Sequence, residues 1–134
     1  MKTALNGPAI GLLMAGGCGI GWGLFELALG VMGLAKSLGD ELGLPADLPW
    51  HLKLAASPAM PVVIGLVALA GNAFIVFGGL QLRQGRRYRL CLAAAGLCCL
   101  PFCFHGCCSI FATPLGLWAL MVLLSEPGRT QFSP

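Results

Sequence analysis

The sequence predicts an all-α integral membrane protein, with four transmembrane helices arranged as two hairpins and a short interfacial helix in the first outer loop. Three observations predict it. Of the 134 residues, 57 % are hydrophobic and 10 % charged, with a mean hydropathy of +0.86; soluble domains use roughly 45–50 % apolar residues. The apolar residues gather into four runs parted by short polar or basic segments. Positive charge collects on alternate connections, as the cytoplasmic loops of membrane proteins require. At about 20 residues per crossing, the chain has room for about four short helices and no separate soluble domain. Residues 1–134 are therefore read as a single membrane domain with helices at about 8–35, 60–82, 89–104 and 109–125.

The first run, Pro8 to Ala35, carries one charge, Glu26, and is long enough to cross with some tilt. A signal peptide is disfavoured, since its basic region would hold only Lys2 and its apolar core would be over-long and glycine-rich. From Lys36 to Pro58 the glycines and prolines rule out a second crossing. Within that loop Asp47 ahead of Leu48 and Pro49 marks a helix start, and Trp50, Leu52 and Leu54 give it an apolar side suited to the membrane interface. Met60 to Leu82 is apolar except for Asn72 and Gln81, and forms the second helix. The basic loop "RQGRRYR" leads into the third, "LCLAAAGLCCLPFCF", and "SIFATPLGLWALMVLLS" supplies the fourth. The tail "EPGRTQFSP" is too short and polar to fold alone.

Four crossings place Lys2, Arg83, Arg86, Arg87, Arg89 and Arg129 on one side and only Lys36 and Lys53 on the other. The positive-inside rule then puts both termini and the arginine loop in the cytoplasm of a multi-pass protein of the inner (plasma) membrane. The loop has one nearby aromatic, Tyr88, and lies against the bilayer. Arg83, Arg86, Arg87 and Arg89 are thus expected to meet anionic lipid headgroups rather than nucleic acid.

The last two fifths of the chain carry a recognisable pattern: Gly78, Gly79 and Leu80 before the basic loop with Tyr88; Pro101 followed by Cys107 and Cys108; then Pro114, Gly116, Trp118, Leu120, Val122 and Leu123, with Phe132 closing the tail. This hairpin resembles that of a family of small bacterial membrane proteins of unassigned activity, frequent in planctomycete-like bacteria and sometimes fused to other domains. The resemblance implies a four-helix membrane protein and a structural role for the cysteine pair, and it brings no activity with it.

Chemistry-bearing residues are few. Cys91, Cys98, Cys99 and Cys103 fall within about 140° of arc on the third helix, where small thiols suit close helix packing. Cys103, His105, Cys107 and Cys108 could converge on one soft metal ion at the outer turn, although the spacing lacks a zinc-type Cys-x-x-Cys. A disulfide from Cys103 to Cys107 or Cys108, or free packing thiols, are the other readings. Glu26 and Asn72 are the candidate polar groups within the spans. An intramembrane carboxylate is costly and is expected to face the bundle as a neutral acid bonded to a backbone carbonyl, or to snorkel to the nearby interface; a proton or cation site formed with His105, Cys103 or Thr113 is the alternative, and Asn72 is expected to bond between helices. No phosphate loop is present, because nothing reads as a strand before a helix.

The sequence thus predicts a noncatalytic packing or interaction component that associates with itself or with another membrane protein, and needs no cofactor. The alternative is thiol-dependent chemistry at the Cys103–Cys108 turn. That would be soft-metal handling like that of mercury-transport proteins, or disulfide exchange like that of four-helix quinone-coupled oxidases. The absence of any Cys-x-x-Cys counts against the oxidase, and the absence of repeated cysteine pairs at successive depths counts against metal transport.

Overall fold

Long apolar runs fold as long helices, and both halves of the first hairpin do so despite the glycines within them. The computed structural model describes residues 3–39, 57, 59–100 and 109–132. Over these residues it is all-α, with helices α1 (Thr3–Gly39), α2 (Ala59–Gln84), α3 (Tyr88–Cys98), α4 (Ser109–Leu124) and α5 (Glu126–Arg129). Helix α1 begins ahead of Pro8, since a proline so near the start forfeits a single backbone bond and its ring is fully buried. It also runs past Ala35 to Gly39, into the segment read as loop. The interfacial helix expected around Trp50 lies outside the described residues.

Helices α1 and α2 form an antiparallel pair along a seam of small residues. On α1 the seam runs through Ala9, Leu12, Gly16, Gly19, Gly23 and Gly30, meeting in turn Gly79, Asn72, Gly65 and Val62 of α2. Steps alternating between three and four residues average 3.5, the repeat that keeps one stripe facing a partner at a shallow crossing angle of about 20°. The backbones nearly touch. A Cβ on Gly65 would stand 2.8 Å from the Leu27 nitrogen and 3.0 Å from the Gly23 oxygen, and one on Gly30 would stand 2.7 Å from the Val62 nitrogen. Gly17 and Gly21, one residue out of phase, meet nothing within 4 Å.

A tight turn carries the chain from α2 to α3. Gly85, at φ +66°, ends α2 in a Schellman motif: its N–H donates to Leu82 O at 3.1 Å and the Arg86 N–H to Gln81 O at 3.0 Å. Arg87, at φ +52°, is a second left-handed residue and redirects the chain into α3, where its carbonyl accepts from Leu90 and Cys91. Helix α3 then ends at Cys98, short of the expected 104, with a turn over Cys99 and Leu100. Leu100 precedes Pro101, whose ring disfavours a helical residue before it.

The α3–α4 pair packs on one half of the α1–α2 hairpin. Gly78 of α2 faces Ala94 of α3; Gly7 and Gly11 of α1 lie under Trp118 and Leu115 of α4; Gly116 of α4 abuts the Cys98–Cys99 backbone. Leu12, Ile75, Leu82, Cys91, Cys98 and Leu123 are fully buried where the four helices meet. The tail is more ordered than its length suggests. Ser125 caps α5 by accepting from the Gly128 N–H at 3.3 Å while donating to Val122 O at 2.7 Å.

Candidate functional site

Asn72 is fully buried in the α1–α2 seam, and the absent side chain of Gly19 makes its room: a Cβ there would overlap the carboxamide. Its Nδ2 donates to Ala68 O at 2.8 Å, one turn back on its own helix. Glu26 sits on the same edge of α1 between Gly23 and Gly30 and is half-buried. The two do not form one polar site. Asn72 lies opposite Gly19, seven residues before Glu26, or about 10 Å along the axis. Of the partners expected for Glu26, Thr113 is half-buried on α4, while Cys103 and His105 lie outside the described residues.

The whole proposed metal set, Cys103, His105, Cys107 and Cys108, lies outside the described residues. Among those described, no three His, Cys, Asp or Glu side chains are grouped to hold a metal ion. The cysteines of α3 do hold helices together. Cys91 Sγ donates to Arg86 O at 3.4 Å and lies 3.6 Å from Gly78 O on α2, and Cys98 Sγ donates to Ala112 O of α4 at 3.3 Å. Both are fully buried free thiols, Cys99 is half-buried, and Cys18 is exposed. Cys18 borders an apolar groove of about 260 Å³ between α1 and α4, with Met14, Ala15, Phe111, Ala112 and Leu115. In the folded protein Cys91 and Cys98 are expected to resist membrane-permeant N-ethylmaleimide, and to react fully once it is denatured. Mass spectrometry of the labelled peptides checks this; rapid native labelling of either residue would contradict the packing.

At the opposite end from the helix α1 C-terminus, arginines gather. Arg83, Arg86, Arg87 and Arg89 are all exposed, and a recess of about 680 Å³ is lined by Leu80, Arg83, Gln84 and Arg86. The C-terminal tail folds over the neighbouring surface. Tyr88 Oη donates to Leu123 O at 3.0 Å, and Phe132 meets the Tyr88 ring edge-on at 5.1 Å. Arg129 donates from Nε to Tyr88 Oη at 3.3 Å, with its guanidinium 5.9 Å from the ring centroid. The tail thereby brings a fifth arginine to the end that holds the other four. The sequence carried the signal for this element: Ser125, Glu126 and Pro127 in succession form a helix-start signature.

No protein-family model matches this chain, and neither the curated proteins nor the solved structures contain one significantly similar to it. The reading of its role therefore rests on the geometry above.

Proposed function

We propose that the protein is a small multi-pass protein of the plasma membrane with a noncatalytic packing or interaction role, touching anionic headgroups at its arginine end. One observation carries the reading. The apolar stretch Leu5–Leu34 and helix α2 are long enough to cross a bilayer, yet only 28 % and 22 % of their most apolar windows are buried. The core helix of a soluble protein would hide such residues. Here Met14, Phe25, Met32, Leu66, Phe77 and Met121 are among many large apolar side chains facing outward, as hydrocarbon solvent permits.

In this reading the chain makes two hairpins with both termini and the arginine loop cytoplasmic. Helices α3 and α4, of 11 and 16 residues, reach about 16 and 24 Å against a core of about 30 Å, so a full second hairpin needs the segment between them. The packing role is supported by what the patterned residues of the last two fifths do. Gly78 and Gly79 admit Ala94, Ala9 and Leu13, Gly116 admits the end of α3, and Tyr88 and Phe132 bind the tail.

The test is alkaline carbonate extraction of native membranes, followed by impermeant-maleimide labelling of Ser57→Cys and Thr130→Cys variants with the labelled peptides identified. The protein is expected to stay with the membrane pellet. Residue 57 should label in intact cells and residue 130 only after permeabilisation. Release by carbonate would sink the membrane reading, and labelling of residue 130 from outside would reverse the topology.

A further inference from the structure

The recess at the end of α2 has features that a merely basic surface lacks. Its two arginines, Arg83 and Arg86, stand three residues apart across the Schellman turn, and Gln84, a neutral donor, lines the same recess. Among the described residues, neither arginine is paired with a carboxylate. Glu126 is the sole acid among the described residues of this end, and it is exposed on α5. The carbonyls that would repel an anion at a helix C-terminus are partly occupied, since Gln81 O and Leu82 O already accept from Arg86 and Gly85.

The backbone beneath is held in place. Gly85 is buried, with Gln131 O 3.0 Å from where its Cβ would be, and the Arg86 carbonyl is bonded by the Cys91 thiol. Arg87 adopts φ +52°, a conformation costing a non-glycine residue about 1 kcal/mol, and the turn keeps an arginine there. The turn fixes where the two side chains begin, and their planar forks match phosphate oxygens.

The remaining wall separates a lipid from a free ion. Leu80 lines the recess and is exposed; Phe77, three residues earlier on α2 and also exposed, continues its apolar face away from the arginines. An apolar track leading into a cationic recess has the shape of an amphiphile. The recess, of about 680 Å³, is open to its surroundings, so a headgroup can enter it from the side.

We infer that this recess, resting on the membrane reading above, is a site for the phosphate of one anionic phospholipid headgroup, held by Arg83 and Arg86 with Gln84, its acyl end lying over Leu80 and Phe77. The partner is thus a particular bound lipid, and of the four arginines of the loop only these two line its site.

The experiment is native mass spectrometry of the full chain purified in detergent and titrated with phosphatidylglycerol or phosphatidylcholine. The wild type is expected to retain one phosphatidylglycerol in strong preference. The Arg83→Gln/Arg86→Gln variant is expected to weaken that binding about thirty-fold, from about 1 kcal/mol per basic residue at a membrane surface. Arg89→Gln, which removes a charge outside the recess, should leave it within about twofold, below a 0.5 kcal/mol effect. Equal weakening by Arg89→Gln, or no preference between the lipids, would overturn the site in favour of a diffuse charge effect. Displacement of the lipid by millimolar inorganic phosphate would overturn the lipid assignment. A carbonate-resistant protein with no lipid preference loses only this inference; a carbonate-extracted one loses the membrane reading itself.

Discussion

Gly65→Leu is expected to destabilise the folded helices by about 3 kcal/mol, because the added side chain must enter a space already occupied by backbone. Its first carbon alone would lie 2.8 Å from the Leu27 nitrogen and 3.0 Å from the Gly23 oxygen. Neither atom can rotate away as a side chain can. The only relief is separation of α1 from α2, which undoes dispersion contacts along the whole seam and widens the space around Asn72. Titration with dodecyl sulfate from a milder micelle, followed by tryptophan fluorescence, measures the loss. The matched control is Gly21→Leu, on a glycine of α1 with nothing within 4 Å. It should not destabilise the protein, since removing a glycine from a helix interior favours the helix by up to about 1 kcal/mol. Equal losses from the two substitutions would show that the seam does not run through Gly65.

Tyr88→Ala should cost about 3 kcal/mol, as removal of a large aromatic does when its neighbours cannot collapse into the space. It should also free the tail. The ring supports Phe132 at 5.1 Å and Arg129 at 5.9 Å, and its hydroxyl donates to Leu123 O near the end of α4. That carbonyl is one of those a helix leaves unpaired at its C-terminus, so the phenol serves as a cap supplied from α3. Tyr88→Phe retains the ring and loses only the hydroxyl bonds, for about 1 kcal/mol. Hydrogen exchange over residues 125–132 distinguishes the two. Protection there should collapse in Tyr88→Ala and persist in Tyr88→Phe; a tail equally protected in both would mean that Tyr88 does not hold it.

These two sites illustrate how unevenly the sequence disclosed the molecule. The helical class was legible because apolar runs of this length have few alternatives, and the bounds of α2 and α4 differ from those read by at most two residues at either end. The end of α3 was misread because its apolar run continues through Pro101 and composition outweighed that residue's effect on Leu100. The tail, read as too short and polar to fold alone, does not fold alone. Its own residues are polar, and its order comes from Tyr88, which is 41 positions from Arg129 in sequence. Cys91 and Cys98 were legible as packing residues from their common face, whereas the Cys/His turn that drew attention to itself lies outside the described residues.

The sequence by itself determined that the chain is helical, that its long helices are apolar around most of their circumference, and that four of its arginines gather in one short loop. Each follows from composition and periodicity, which act through every residue alike. Only the tertiary structure decided which glycines do the packing. Gly17 with Gly21 and Gly19 with Gly23 have the same spacing, and the choice falls on the pair whose phase continues through Gly16 and Gly30 to meet Asn72, Gly65 and Val62. The tertiary structure likewise lines one recess with Arg83 and Arg86 out of the four arginines of the loop. A local pattern specifies which residues can approach closely; which of them do depends on the phase of a partner helix tens of residues away.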